Sequence, residues 1–329
     1  HAPLTGPAAG DGESAKLGAE LAIEQINAAG GLLGKQVELI ELDDQAKTEQ
    51  ALPIANRLAG EGVALVVSGS YSGPTRAAAG VFQENGIPYI SAYGVHPDIT
   101  RAGDYVFSTS FVGEVQGRAG AKLVGENVGA KRVSIISINN DFGQSLVAGF
   151  KEAAAQFGIE IVNEYYYGMA DRQFGSIVAG IRRDAPDAIY ATGYFFTGGP
   201  LVSQLRSAGV TATIVGTEGF DSQNFIDIAK QAAEGVIITT SLDRGTENPV
   251  MRAFIDDFEK KAGFPADMVA ATTHTAVLVA ADAITRAGSV DHAAIRDALA
   301  ATKDLQVSTG VLTFNSLGEI YHEIGAQIV

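Results

Sequence analysis

The hydroxyls of one Ser-rich turn are the groups of this chain best suited to hold a small anionic ligand. Ser70 and Ser72 lie in the turn Gly69-Ser70-Tyr71-Ser72-Gly73. The apolar run Ala64 to Val67 before this turn reads as a buried strand, and Thr75 to Glu84 after it as a helix. Pro74 suits the first helical position, where a missing N–H costs nothing. A strand, a Ser-rich turn and a helix N-terminus together present hydroxyls and unclaimed backbone N–H groups to an anion.

Other chemistries lack their residues. Gly30-Gly31-Leu32-Leu33-Gly34-Lys35 is one residue short of a phosphate loop and has no Ser or Thr after the Lys; a helix stop and turn is the expected role. Gly69-Ser70-Tyr71-Ser72-Gly73 carries Tyr where a nucleophile elbow needs Ser. No G-x-G-x-x-G opens a helix after a strand, so a dinucleotide site is not expected. The His residues at 1, 96, 274, 292 and 322 lack metal-ligand spacing, and the two within helical segments, His274 and His292, are expected to be structural. Asp43-Asp44 is expected to cap the segment after a strand rather than to hold a cation. Tyr165 to Tyr167 reads as alternate residues of a half-buried strand. No catalytic set, metal site or cofactor is expected.

The elements that must position these groups alternate regularly. Ser14 to Ala29 reads as a helix stopped by Gly30-Gly31, Val37 to Leu42 as a strand, and Thr48 to Gly60 as a helix. His1 to Pro7 is short for an opening strand, which is expected to begin upstream. After a strand at Pro88 to Ser91 the alternation restarts. Strands are expected at 106–110, 132–138, 160–167, 188–192, 213–215 and 236–240. Helices are expected at 115–128, 145–157, 174–183 and 201–208, the last started by Gly198-Gly199-Pro200. Longer helices follow at 249–262, 268–286 and 292–301, then strand-like ends at 310–314 and 319–329. Strand–helix alternation of this kind specifies parallel, doubly wound sheets, which bind ligands beyond the carboxyl ends of their strands. Polar and aromatic turns recur at those ends: Ser70 to Ser72, Ala92 to His96, Asn140 to Phe142, Gly193 to Phe196 and Thr217 to Phe220. Such turns combine the apolar walls and few fixed polar groups of a small-molecule site.

Composition narrows the partners. A chain of 329 residues suits two lobes rather than one core. Its net charge of −15 argues against nucleic acid or an anionic membrane and favours a soluble monomer. There is no Cys, hence no disulfide and no thiolate ligand. The apolar stretch Met268 to Ile284 contains His274 and several Thr and reads as a buried helix rather than a membrane span. The first residue is His rather than Met, from which removal of a leader by processing or truncation is expected.

Ala2-Pro3-Leu4-Thr5-Gly6-Pro7, Ile26-Asn27-Ala28-Ala29-Gly30-Gly31, Asp43-Asp44, Gly86-Ile87-Pro88 and Ala233-Glu234-Gly235 resemble the leucine/isoleucine/valine-binding family of periplasmic substrate-binding proteins, which serve ABC transporters. The resemblance runs over essentially the whole chain. It implies an α/β type I periplasmic-binding (Venus flytrap) fold: two doubly wound parallel-sheet lobes joined by three crossover strands. Lobe 1 would comprise residues 1–113 and 242–318, and lobe 2 residues 114–241 and 319–329. Carried over residue by residue, Ser72 matches the hydroxyl on the ligand carboxylate, and Tyr93 and Val95 the strand-end segment beside it. Val95 stands where the family has a Thr. Phe142 and Tyr194 match aromatics of lobe 2, and Glu218 matches the acid that takes the α-ammonium. Cysteines that some members have at the places of Ala46 and Tyr71 are both absent. Asp11 stands where the branched-chain binders have a large aromatic. It either adds charge to a smaller pocket, favouring a polar or cationic side chain, or caps the helix beginning near Ser14.

The resemblance implies a non-enzymatic, periplasmic protein, lipid-anchored or free. It would close on a small amino acid in an interlobe cleft and present it to a membrane permease. An aromatic or other non-amino carboxylate, sandwiched by Tyr71, Tyr93, Phe142 and Tyr194, is the competing ligand class. A sensor or regulator of the same fold is the competing role; it would need an output module, and no helix-turn-helix is evident.

Overall fold

The computed structural model describes residues 1–320 and 324–329. The chain forms two compact units, His1–Phe111 with the described residues from Leu242 to Ile320, and Val112–Ser241 with Ile324–Val329, and passes from one to the other three times.

In chain order the first unit begins with α1 (Ala9–Ala28), α2 (Thr48–Gly60), β1 (Val66–Ser68), α3 (Ser72–Glu84), β2 (Tyr89–Ser91) and β3 (Val106–Ser108). The second holds α4 (Gly113–Lys122), β4 (Arg132–Ile138), α5 (Asp141–Ala154), β5 (Glu160–Tyr167), α6 (Gly175–Asp184), β6 (Ala188–Thr192), α7 (Phe195–Ser207), β7 (Thr213–Gly216), α8 (Gln223–Ala229) and β8 (Ile237–Thr240). The chain then returns to the first unit with α9 (Pro249–Ala262), α10 (Met268–Ala287), α11 (His292–Ala300), β9 (Leu305–Val307) and β10 (Gly310–Leu312). Strand β11 (Gly325–Ile328) belongs to the second. The sequence-expected strand over 319–329 is found only as β11, and its stretch 321–323, His322 included, lies outside the described residues.

In the first unit β1, β2 and β3 pair in parallel, Val66 opposite Tyr89 and Tyr89 opposite Val106, and β9–β10 form a separate antiparallel ribbon. Phe82, Tyr89 and Ile99 are fully buried in its core beside Leu58 of α2. In the second unit six strands run in the order β11-β8-β7-β6-β4-β5, parallel except for β11. β-branched runs such as Val133 to Ile138 supply the core of this sheet, as expected of strands buried on both faces. Helix α10 is long and apolar enough to cross a membrane by composition, but 78% of its apolar window is buried within the fold. His274 sits inside it.

Several expected boundaries move. Helix α1 begins at Ala9, not Ser14, so Asp11 lies in its first turn instead of ahead of it. Helix α3 begins at Ser72, which places Pro74 third; the first four N–H groups have no intrahelical acceptor, so Pro is tolerated there too. Helix α7 begins at Phe195, so Gly198-Gly199-Pro200 lies within it rather than at its start. A Cβ on Gly198 would stand 2.2 Å from the Phe220 ring, so the glycine serves close packing against the turn after β7. Helix α8 was not anticipated. Val37 to Leu42 forms no strand; its one ladder contact is the parallel bridge between Ala2 and Asp43 just beyond it. A strand is defined by its pairing, and among the described residues the backbone of this stretch makes one such bond, the Leu42 carbonyl accepting from the Ala2 N–H.

Candidate functional site

In the first unit the carboxyl ends of β1 and β2 are stitched together. Tyr93 donates its hydroxyl to the Gly69 carbonyl at 2.6 Å, and the Val95 N–H donates to Ser72 Oγ at 3.0 Å. Ser72 is the first residue of α3 and is buried. Its oxygen accepts from Val95, which leaves its own hydrogen to donate. The N–H groups of the first turn of α3 add the positive end of the helix dipole. Among the described residues, Ser70 Oγ is buried without a hydrogen-bond partner. A buried hydroxyl of this kind costs about 1–3 kcal/mol unless something meets it.

Tyr71 and Asp11 form the wall of this end. The Tyr71 hydroxyl donates to Asp11 Oδ2 at 2.6 Å, and its ring meets Tyr93 edge-on at 6.2 Å. Both residues are buried. Of the two roles open for Asp11, helix capping does not hold: the cap position is Ala8, and no side chain caps it. Asp43 and Asp44 are occupied locally. Asp43 accepts from Thr5 and the Gln45 N–H, and Asp44 from the Ala46 N–H, with His1 Nδ1 at 2.6 Å.

The second unit assembles an acidic site at the end of β7. Glu218 opens a single short helical turn and is 3% exposed. Gln116 of α4 donates Nε2 to Glu218 Oε1 at 2.9 Å. Burial raises the Glu218 carboxyl to about 8, against the smaller opposing effect of the Gln116 hydrogen bond, and Asp221 nearby raises it further. The carboxyl group is thus poised to gain a proton or a cationic partner. Asp221 is itself tied to β8 by the Thr240 hydroxyl and to β11 by Gln327, which fixes the turn. Thr217 Oγ1, next to Glu218, is buried without a hydrogen-bond partner among the described residues.

An aromatic wall stands at the ends of β4 and β6. Phe142, in the first turn of α5, stacks on Tyr194 at 5.0 Å, and Tyr194 stacks on Phe196 at 5.7 Å. Asn140 caps α5 through the Gly143 N–H and also donates to the Tyr194 hydroxyl at 3.1 Å.

The structure thus brings Ser72, Tyr93, Val95, Tyr71 and Asp11 together in one unit, and places Glu218, Phe142 and Tyr194 at strand ends of the other. Sequence reasoning missed Gln116. Its signal was a lone amide on the apolar side of a Gly-rich helix; it is 1% exposed. Helix α4 approaches α5 so closely that a Cβ on Gly149 would stand 2.0 Å from the Glu114 carbonyl oxygen, and this approach sets where Gln116 lies.

The family model for periplasmic binding proteins matches residues 1–320. A Leu/Ile/Val-binding protein homologue of Brucella melitensis is 33% identical over 321 residues, which is 97% of this chain and 87% of that protein. The crystal structure of a leucine-binding protein from Thermotoga maritima superposes with a TM-score of 0.94 at 27% identity, covering 100% of this chain and 93% of that one. A branched-chain amino acid transporter substrate-binding protein from Streptococcus pneumoniae, in complex with isoleucine, gives 0.93 at 28% identity and covers 100% and 97%. With these relatives and this parallel α/β architecture, the chain belongs to the periplasmic binding protein family, in its leucine/isoleucine/valine-binding branch.

Proposed function

We propose that this chain is an extracytoplasmic solute-binding protein that captures a small α-amino acid, performs no chemistry on it, and delivers it to the permease of an ABC transporter. The observation that carries the reading is the buried Glu218 carboxylate, oriented by Gln116 beside the unsatisfied Thr217 hydroxyl. A carboxyl group raised to about 8 by burial gains most from a cationic partner that replaces its proton. The ligand ammonium goes to Glu218, and its carboxylate to Ser72, Ser70 and the first turn of α3. A ligand held by both units favours whichever arrangement lets both hold it, so capture proceeds by hinge closure. The name of the Brucella relative and the isoleucine complex of the Streptococcus protein support the amino-acid class. Asp11 and its Tyr71 partner favour a small or polar side chain over a bulky aliphatic one. A periplasmic monomer of micromolar affinity, roughly −8 kcal/mol, suits capture followed by release.

Thermal-shift measurement against a panel of α-amino acids at pH 8 tests the reading. A rise in Tm with at least one of them is expected, together with a fall in the radius of gyration in solution scattering. No shift with any α-amino acid would sink it. The Phe142–Tyr194 stack favours one second reading, an aromatic carboxylate held between rings. Such a ligand would bind without an ammonium and would be indifferent to Glu218→Gln.

A further inference from the structure

In the first unit the polar groups around the Ser-rich turn fall into two sets by hydrogen-bonding sense. One set donates: the Ser72 hydroxyl, whose oxygen already accepts from the Val95 N–H, the Ser70 hydroxyl, and the N–H groups in the first turn of α3. The other set is Asp11, Tyr71 and Tyr93, each 4% exposed. A phenol has a single hydrogen to give. That of Tyr71 goes to Asp11 Oδ2 at 2.6 Å, and that of Tyr93 to the Gly69 carbonyl at 2.6 Å. Asp11 lies in the first turn of α1, where the helix dipole favours a carboxylate, and a carboxylate has no hydrogen to give. Every further hydrogen bond to these three side chains is therefore one that they accept.

Close backbone packing fixes where this accepting set stands. A Cβ on Gly12 would stand 2.1 Å from the Pro3 carbonyl oxygen, and one on Gly69 would stand 3.0 Å from the Ala15 Cβ. Ala15 follows Asp11 by one helical turn and shares its face of α1. Helix α1 is thus pressed against the turn that carries Ser70 and Ser72, and Asp11 is held beside it. The edge-on contact of Tyr71 with Tyr93 at 6.2 Å keeps the two phenols together. Ser14, also on this part of α1, gives its hydrogen to Asp267 Oδ2 at 2.6 Å, so it adds no donor here.

We propose that Asp11, with Tyr71 and Tyr93, sets side-chain specificity: the ligand is an α-amino acid whose side chain ends in a hydrogen-bond donor, namely a hydroxyl, an amide N–H or a cation. The inference rests on the proposed function and adds the side chain to it. The ligand's carboxylate takes the donating set, and its side chain meets the accepting set. An aliphatic side chain offers the acceptors no hydrogen, and an acidic one places a second anion against Asp11 at a desolvation cost that nothing offsets. A site built to hydrogen-bond a ligand's O–H or N–H rejects the analogue lacking it far more strongly than an apolar pocket rejects one methylene.

Calorimetric titration of the full chain with matched pairs tests the proposal: threonine against valine, asparagine against leucine, lysine against norleucine, and asparagine against aspartate. The tightest ligand is expected to carry a side-chain donor and to bind at least about tenfold more tightly than its aliphatic partner, with aspartate weaker than asparagine. The double variant Asp11→Leu, Tyr71→Phe removes the carboxylate and the phenol together, so neither is left facing the loss of the other. It is expected to bring the donor-to-aliphatic ratio to about one or below, with the fold intact by circular dichroism. Asp11→Asn keeps the shape, supplies an N–H, and is expected to raise aspartate toward asparagine. A tightest ligand among valine, leucine and norleucine would overturn the proposal and leave the amino-acid function standing, as would unchanged ratios in both variants. No binding of any α-amino acid would sink that function, and this inference with it.

Discussion

Gln116 donates Nε2 to Glu218 Oε1 across 2.9 Å, and both side chains are buried. The amide fixes one carboxylate oxygen, and on the proposed function the other meets the ligand ammonium. Replacing Glu218 by Gln keeps the shape and removes the charge. Removing one partner of a buried, hydrogen-bonded charge pair costs about 2–5 kcal/mol. Calorimetric titration of Glu218→Gln is expected to show affinity for the cognate amino acid reduced by about 30-fold or more, with the fold intact by circular dichroism. An unchanged Kd would remove Glu218 from the site.

The same carboxyl group predicts a pH signature. Its folded value, about 8, lies above the ordinary 4.5 because burial disfavours the anion. Below 4.5 both folded and unfolded forms are protonated and pH has no effect through this group. As pH rises from 4.5 to 8 the unfolded chain releases a proton that the folded apo protein keeps, so apo stability falls across that window and levels off above it. Binding of an α-ammonium ionises Glu218, so the complex sheds this proton. Affinity is therefore expected to rise close to tenfold per pH unit between 6 and 7.5 and to flatten above 8. Calorimetry in buffers of different ionisation enthalpy should register the released proton at pH 6.5 and none in Glu218→Gln. Equal affinities at pH 6 and 8 would contradict the assignment.

Ser72 joins the loop after β2 to the start of α3 through the Val95 N–H. Ser72→Ala strands a buried N–H and removes the hydroxyl that, on the proposed function, meets the ligand carboxylate. The first loss lowers apo stability by about 1–3 kcal/mol, and the second lowers affinity by about tenfold. Ser72→Thr restores the oxygen. If it recovers Tm but not Kd, the two roles separate; a Ser72→Ala variant with wild-type Kd would leave the hydroxyl purely structural.

A Cβ added to Gly149 of α5 would stand 2.0 Å from the Glu114 carbonyl oxygen of α4, closer than real Cβ contacts come. Both sides of this contact are helix backbone, so it is relieved only by shifting one helix against the other. Gly149→Ala is expected to cost about 1–3 kcal/mol of stability by overpacking and to displace Gln116 from Glu218. Affinity then falls together with Tm. Gly175→Ala has open space at its Cβ and serves as the neutral control. A Gly149→Ala protein with unchanged Tm would show that α4 is free to shift.

The sheets were legible because β4, β6 and β7 are short runs rich in apolar and β-branched residues, such as Val133, Ile135, Ile136 and Ile138 of β4, a pattern that depends little on context. Helix starts were less so. Ala9 to Glu13 and Phe195 to Pro200 are rich in Gly or carry Pro, poor formers by propensity; packing against neighbours holds them helical. Val37 to Leu42 has strand composition and is no strand, because pairing is a property of its surroundings. Ser72 and Glu218 were recognisable from their turns and from the family resemblance. Gln116 was not, since its role arises from the meeting of α4 with the turn after β7, residues about a hundred positions apart in the chain. The Asp11–Tyr71 bond has the same origin.

His274, buried in α10, gives the first unit a pH dependence of opposite sign. Its ring nitrogens face Ser308 Oγ and Gln25 Oε1, and the Phe254 ring packs beside it at 4.8 Å. Burial lowers its value from 6.5 to about 3, so the folded protein holds it neutral where the unfolded chain is protonated. Its contribution to stability is complete above pH 6.5 and is lost as pH falls toward 3, about 2 kcal/mol of it by pH 5. Glu218 titrates in the same interval with the opposite sign, but it is present in both proteins, so the difference between wild type and His274→Gln isolates the histidine. His274→Gln gives up one ring contact and part of the hydrogen bonding, which lowers stability at pH 7 by about 1–3 kcal/mol, but it removes the titration. Denaturant unfolding at pH 7 and 5.5 should therefore show the gap between wild type and variant narrowing on acidification. A gap that stays constant or widens would mean that His274 is already protonated in the folded state and that its buried environment tolerates the charge.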